Sequence, residues 1–278
     1  MAASGFFSGN YQKKLAKIIA RSRARLPLTN MKWFGVLVGS MLLLGSCSSQ
    51  PPGSKITPLP PVGKPQQSKE PVRGIWLATV SRLDWPPISS VNISSPAVRI
   101  SLQQKALTDK LDNLKRLGIN TVFFQVKPDG TALWKSKILP WSDTLTGTIG
   151  QDPGYDPLQF MLDEAHKRGM KVHAWLNPYR VSVNTKPSTV TELNSTLSQT
   201  PSSVYVLHRD WIRTAGERFV LDPGIPEVRD WITSIVAEVV ENYPVDGVQF
   251  DDYFYTESPG SALNDSQTFR RYGQGFVS

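Results

Sequence analysis

The sequence predicts an α/β fold of parallel strands alternating with helices, a (β/α)₈ TIM barrel truncated here to about its first half. Four short apolar runs, typical of strands covered on both faces, alternate with segments of helical periodicity. Every run ends in polar or aromatic residues, as at the carboxyl face of a barrel. No Gly-x-Gly-x-x-Gly follows the first run, so the competing doubly wound dinucleotide fold lacks its fingerprint.

The first two strands are separated by one amphipathic helix. Residues 73–80 are almost uninterruptedly apolar and form the first predicted strand. Residues 103–117 place leucines at 107, 111, 114 and 117, the spacing of one helix face, and Gly118 ends that helix as a C-cap. Residues 121–126 form the second strand, which leaves through a polar loop.

The second half of the pattern repeats the first with one long insertion. Asp156 and Pro157 predict an N-cap and first turn, and the helix that they open runs to Gly169 before a third strand at residues 171–176. Residues 182–203, rich in Ser and Thr, predict a surface excursion and a candidate lid. Small elements are expected over residues 205–220. Pro226 opens a fourth helix, which leads into the fourth strand at residues 247–250.

The length of the folded part is short for a barrel. Such barrels typically need roughly 250 residues, whereas residues 71–278 follow the last linker-like segment. The alternation also stops unfinished at the last residue, so the chain is expected to be a fragment covering about half of the barrel.

The positive charge is concentrated at the N-terminus. The chain has a net charge of +8, but residues 1–46 contain seven basic residues and no acid, which leaves the rest with 24 basic and 23 acidic residues. A nearly neutral body has no electrostatic footprint for a polyanion, so nucleic acid is excluded as a partner.

The N-terminal region divides into three segments. Residues 31–46 have the charge and the short apolar run of a secretory signal, and they end in a motif that resembles a bacterial lipoprotein box, with Cys47 as the acylated residue. A cleaved signal with an incidental cysteine is the alternative. Residues 1–30 are a basic extension, either a mis-assigned start or an amphipathic helix at the membrane surface, and residues 47–70 are a Pro/Ser-rich tether. Ser48 favours an outer-membrane lipoprotein facing the periplasm.

The candidate catalytic residues follow the fourth strand. Asp251 and Asp252 come directly after it, and Tyr253 and Tyr255 follow them. Two acids among aromatic rings suit cleavage of a sugar chain, because carboxyl groups handle the proton and the cationic charge while the rings offer flat apolar faces. An N-cap and a solvated loop acid are the alternative roles. No clustered His or Cys supports a metal site, and no cofactor is predicted.

Residues at the other strand exits and on the loops are expected to bind substrate. Arg180 could fix a sugar carboxylate or hold Asp251 in its ionised form, with a structural ion pair as the alternative. Trp134 is a further candidate for sugar stacking, whereas Trp76, Trp175, Trp231 and His173 are expected in the core. The predicted substrate-binding residues are Trp85, Gln125, Lys127, Asp129, Trp141, Asn177, Tyr179, Arg180, Tyr253 and Tyr255.

Six separated motifs resemble the glycosyl-hydrolase-like 10 family over residues 71–278. They are RGIWLATV at 73–80, LDWP at 83–86, FFQVKP at 123–128, HAWLNPYR at 173–180, LDPGIP at 221–226 and DGVQFDDYFY at 246–255. The resemblance implies a TIM-barrel glycosidase of the cell envelope that cleaves peptidoglycan glycan strands lacking their peptide stems, with a role in cell division and wall remodelling. It also implies Asp251 as nucleophile or stabilising carboxylate and Asp252 as a possible general acid, with a second acid usually supplied by a later strand.

The resemblance leaves two other functions open. The chain could be a non-catalytic glycan-binding lipoprotein, or an inactive truncated form of the enzyme. The expected partners are peptidoglycan glycan strands, the membrane through a lipid on Cys47, and division-site proteins.

Overall fold

The computed structural model describes residues 70–250 and 263–275, and the sheet within them follows the predicted alternation. Strands β1, β2, β3 and β6 form one parallel sheet in that order. The strands are β1 Gly74–Leu77, β2 Thr121–Lys127, β3 Lys171–Leu176, β4 Ile212–Ala215, β5 Arg218–Leu221 and β6 Gly247–Phe250. The helices are α1 Pro96–Arg116, α2 Asp143–Thr146, α3 Pro157–Lys167, α4 Pro187–Ser195, α5 Val204–Leu207, α6 Pro226–Asn242 and α7 Ser266–Tyr272.

The order of the strands confirms the barrel-type prediction. Neighbours in the parallel sheet succeed one another along the chain without a reversal, whereas a doubly wound sheet reverses its order at a switch point. Helix residues such as Leu107, Met161 and Val239 are fully buried and belong to one core cluster with the strand residues Val122 and Phe124. The sheet is therefore the partial wall of a (β/α)₈ barrel, with its helices on the outer side.

The opposite face of the sheet carries aromatic side chains, because alternate strand residues point to opposite sides. Trp76 stacks on Phe123 with 4.7 Å between ring centroids and meets Trp175 edge-on at 4.8 Å. The prediction that Trp76 lies in the core was wrong, since its side chain is 48% exposed on this inner face. His173 is only half-buried there, edge-on to Phe123, rather than in the core.

Helix α1 is longer than its leucine spacing predicted. It begins at Pro96, seven residues before the predicted start at Gln103, with proline in the first turn, where a missing N–H costs no hydrogen bond. The leucine pattern does not reach this part because the inward positions are Arg99 and Gln103, both buried. By contrast, the predicted N-cap of α3 is confirmed, as Asp156 accepts a hydrogen bond from the Gln159 N–H at 3.0 Å.

The insertion between β3 and α6 contains one helix, α4, that the sequence pattern does not predict. Residues 182–203 include helix α4, although much of this segment lies at the surface as expected. Strands β4 and β5 form an antiparallel hairpin, which matches the small elements expected over residues 205–220. The hairpin attaches to the chain leaving β3, because Val181 N donates to Phe219 O at 2.9 Å and Leu221 N donates to Tyr179 O at 2.8 Å.

Several predictions concern residues outside the described ranges. The signal at 31–46, Cys47, the basic extension and all of the tether except Glu70 lie within residues 1–69. Asp251, Asp252, Tyr253 and Tyr255 fall within 251–262. No helix of residues 70–250 or 263–275 is both long and apolar enough to cross a bilayer.

Candidate active site

The carboxyl ends of the parallel strands meet at one edge of the sheet. Leu176 at the end of β3 is the register partner both of Lys127 on β2 and of Phe250 on β6. The chain therefore enters the segment with the predicted acids, which begins at residue 251, beside the exits of β2 and β3. Ligands and catalytic groups collect at this edge in parallel α/β folds.

The turn after β1 has an unusual backbone. Ser81 and Arg82 both adopt positive φ values, 52° and 57°, which are uncommon for residues other than glycine. Gln125 holds this turn from β2, since its Oε1 accepts from Thr79 N at 2.9 Å and from Val80 N at 2.8 Å. The prediction that Gln125 binds substrate is corrected, because the residue is buried and its amide oxygen is used by the turn.

Replacing Gln125 by Leu is expected to destabilise the chain by roughly 2–4 kcal/mol. The change would leave two buried backbone N–H groups without an acceptor, each costing about 1–3 kcal/mol. Urea unfolding of the wild type and of Gln125→Leu measures the loss. Gln151→Leu, at an exposed loop position, is the control and should change the free energy of unfolding by less than about 0.5 kcal/mol. Equal midpoints for all three proteins would rule out the proposed role of Gln125.

Arg82 connects the strained turn to α2. Its Nη2 donates to the Asp143 carbonyl at 2.7 Å and its Nε donates to the Thr144 carbonyl at 3.1 Å, with the Asp143 carboxylate 3.7 Å from Nη2. Burial raises the pKa of Asp143, and the Arg82 charge opposes that rise. The sequence pattern predicts neither residue in the site, because no local signal brings a loop after β1 to a helix sixty residues later.

The exits of β2 and β3 are tied together by buried polar side chains. Lys127 Nζ donates to the carbonyls of Asn177 at 2.8 Å and Pro178 at 3.3 Å. Asn177 Oδ1 accepts from Arg180 N at 3.0 Å, and Arg180 Nη1 reaches the Pro128 carbonyl at 3.4 Å. The structure thus brings Lys127, Asn177 and Arg180 together, as predicted from their strand-end positions, and these contacts stabilise the edge of the sheet. Their role in binding substrate stays a prediction.

Asp129 leaves β2 in the middle of this network. Its Oδ1 accepts a hydrogen bond from Thr131 Oγ1 at 2.6 Å. Burial, together with the nearby charge of Asp143, raises the pKa of Asp129 to about 6, against the lowering effects of the Thr131 hydrogen bond and of the Lys127 and Arg180 charges. A carboxyl group whose pKa is raised to about 6 is half protonated at that pH, and raised pKa values of this kind are common in active sites.

Two of the predicted stacking tryptophans are in the core instead. Trp85 and Trp134 are both 0% exposed, so neither offers a face to a sugar, and this prediction is corrected. Each indole N–H has an interior acceptor, the Gln103 carbonyl at 3.0 Å for Trp85 and Glu238 Oε2 at 2.9 Å for Trp134. These partners satisfy the polar atom of the ring, which is what permits full burial.

The remaining two predicted substrate contacts are Trp141 and Tyr179. Trp141 is half-buried and packs against the main core cluster. Its contact with substrate stays a prediction. Tyr179 is buried in the second cluster, where its backbone carbonyl anchors the β4–β5 hairpin. Among residues 70–250 and 263–275, no group of three or more His, Cys, Asp and Glu side chains is placed to hold a metal ion.

Comparisons with known proteins agree on one family. The family model described as glycosyl hydrolase-like 10 matches residues 71–278. Glycosyl hydrolase DigH of Escherichia coli K12 is 76% identical over 247 residues, covering 87% of this chain and 56% of the relative. Glycosyl hydrolase YngK of Bacillus subtilis is 37% identical over 223 residues, covering 80% of this chain and 41% of the relative. The chain thus spans about half the length of the curated relatives that it matches.

Likeness to solved structures is weaker. A noncanonic maltogenic α-amylase, AmyB of Thermotoga neapolitana, aligns with a TM-score of 0.38 at 15% identity, covering 71% of this chain and 41% of that one. A similarity at this level carries no argument about the reaction.

Proposed function

The chain belongs to the glycosyl hydrolase-like 10 family, and we propose that it is part of a cell-envelope glycoside hydrolase. Its proposed substrate is the glycan strand of peptidoglycan after removal of the peptide stems, and its proposed role is wall remodelling at cell division. The observation that carries this proposal is the meeting of β2, β3 and β6 exits at one sheet edge, from which the chain continues into Asp251 and Asp252.

The proposed chemistry is paired-carboxylate catalysis. Asp251 would act as the nucleophile or as the carboxylate that stabilises cationic charge at the anomeric carbon, with Asp252 as a candidate general acid. Tyr253 and Tyr255 would supply flat faces for sugar rings. Arg180, whose backbone and guanidinium are anchored to the β2 and β3 exits, would present positive charge to a carboxylate at this edge.

The proposed location is the outer membrane, facing the periplasm. The signal-like residues 31–46 would direct export, and acyl chains on Cys47 would anchor the mature protein. The Pro/Ser-rich residues 47–70 would let the folded part reach glycan away from the membrane surface. Replacing Cys47 by Ser and fractionating the envelope tests the anchor, which should be lost.

The test of the substrate compares peptide-free glycan strands with intact peptidoglycan. We expect the 278-residue chain to release short oligosaccharides from the peptide-free strands, detected by mass spectrometry, and to release far less from the intact polymer. Sedimentation with insoluble glycan, measured in parallel, separates binding from cleavage. If the chain binds glycan but releases no soluble product, a glycan-binding lipoprotein is the better function. If it neither binds glycan nor releases product, the proposed function is wrong.

A further inference from the structure

The backbone at Asp129 is held in place by the neighbouring strand exit. Gly130 N donates to the Val181 carbonyl at 3.1 Å, which joins the loop after β2 to the chain leaving β3. A Cβ at Gly130 would lie only 3.0 Å from that carbonyl oxygen, so a larger residue would push the two segments apart. Asp129 is therefore positioned at the carboxyl edge by a close contact, and its location does not depend on a flexible loop.

Charged groups from three segments surround Asp129 in the described part of the chain. Lys127 and Arg180 approach from the β2 and β3 exits, and Asp143 approaches from α2 with Arg82 bound to it. The Lys127 ammonium donates to two backbone carbonyls. Of the ion pairs between described residues, none includes Asp129. Burial and the like charge of Asp143 therefore dominate, and they favour the neutral carboxyl group.

The two oxygens of this carboxyl group differ. Oδ1 accepts the Thr131 hydroxyl at 2.6 Å. In the described part of the chain, Thr131 is the hydrogen-bond partner of the group, and Oδ2 accepts from no residue there. When the group is neutral, its proton is therefore best carried by Oδ2, where it can be donated to a bound molecule.

We propose that Asp129 is the proton donor of this site and protonates the glycosidic oxygen of a bound glycan. This inference rests on the proposed function and deepens it, because it assigns to Asp129 the general-acid role for which Asp252 is the other candidate. As the bond between the anomeric carbon and the glycosidic oxygen breaks, the electron pair goes to that oxygen, which receives the Asp129 proton and leaves as a sugar hydroxyl. Water supplies the hydroxyl group that ends on the anomeric carbon, and its remaining proton returns to the site.

The position of β2 in the sheet fits this role. Strand β3 lies between β2 and β6, so the backbones of β2 and β6 are two strand spacings apart, about 10 Å. Asp129 therefore follows β2 at the same edge of the sheet from which the chain leaves β6.

The experiment measures glycan release by the 278-residue chain from pH 4 to pH 8 and compares four variants. Asp129→Asn should lower the rate by about 100-fold or more, the typical contribution of a general acid. Thr131→Val removes a hydrogen bond that favours the carboxylate, so the fall in rate on the alkaline side should move to higher pH. Asp252→Asn tests the rival acid. The control, Asp163→Asn on the exposed side of α3, should behave as the wild type.

Melting temperatures give a readout that needs no substrate. An acid whose pKa is higher in the folded than in the unfolded chain costs stability as pH rises from the unfolded value, about 3.9, to the folded value of about 6. The amide of Asp129→Asn does not ionise, so this variant does not lose stability in that way as the pH rises. The variant should therefore melt at a higher temperature relative to the wild type at pH 7 than at pH 4.

Each outcome either supports or overturns the role of Asp129 as proton donor. An active wild type beside an equally active Asp129→Asn overturns this inference alone, as does a melting difference that is the same at pH 4 and pH 7. A loss of rate in Asp129→Asn, with a shifted alkaline limb in Thr131→Val, supports it. A wild-type chain that releases no product overturns the proposed function itself, and the inference then falls with it.

Discussion

Asp251→Asn is expected to lower the rate of glycan release by about a thousandfold or more. A carboxamide has the shape of the carboxylate but carries no negative charge, so it can neither attack the anomeric carbon nor stabilise the cationic transition state. The rate is measured on peptide-free glycan strands at saturating substrate, with reducing ends counted over time. Glycan binding should change much less than the rate, because the loss concerns the transition state.

The control for this prediction is Asp109→Asn. Asp109 lies on the exposed face of α1, paired with Lys105 at 2.6 Å, and its neutralisation should leave the rate unchanged. Melting curves of Asp251→Asn, Asp252→Asn and the control establish that all three remain folded. If Asp251→Asn and Asp252→Asn both keep the wild-type rate, paired-carboxylate catalysis at the end of β6 has to be abandoned.

Asp222→Asn is expected to cause a large loss of stability. Asp222 is 0% exposed and accepts from Thr268 Oγ1 at 2.5 Å, from Gly224 N at 2.9 Å and, across an ion pair of 3.1 Å, from Arg213. The change leaves Arg213 without its countercharge. Breaking a fully buried pair costs about 3–5 kcal/mol, and the partial exposure of Arg213 reduces the expected cost here to roughly 2–4 kcal/mol.

Urea unfolding measures this loss, and two further variants test its cause. Asp210→Asn, at an exposed position in the same region, should change the free energy of unfolding by less than about 0.5 kcal/mol. The double variant Asp222→Asn with Arg213→Gln should be less destabilised than the sum of the two single changes, since it leaves no unpaired charge. Fully additive losses would show that the destabilisation does not come from breaking the Arg213–Asp222 ion pair.

The parallel sheet and its position relative to the site could be predicted from sequence because both depend on local patterns. Strands covered on both faces are continuously apolar, and helices repeat their apolar residues every three to four positions. Asp156 with Pro157 marks the start of α3, and Pro226 marks the start of α6. The polar residues that follow each strand predicted where the candidate site lies. That prediction required only the parallel direction of the strands, since their ends then share one edge.

Other features depend on partners far away in the chain. The sequence predicts Trp134 as a sugar-stacking residue and Trp76 as a core residue, yet Trp134 is buried, and Glu238, 104 residues later, accepts its N–H. Trp76 is exposed because it lies on the inner face of the sheet. Gln125 is predicted to contact substrate, but its Oε1 accepts hydrogen bonds from the Thr79 and Val80 N–H groups, 46 and 45 residues away.

The sequence by itself therefore determined the barrel-type alternation, the family and the edge of the sheet where chemistry is expected. Tertiary contacts determine which polar side chains at that edge serve as internal supports and which carboxyl group there has a raised pKa. The physical reason is that periodicity and capping act between near neighbours in the chain. Desolvation and charge at Asp129, in contrast, arise from Asp143, Lys127 and Arg180, which are brought together by three different segments.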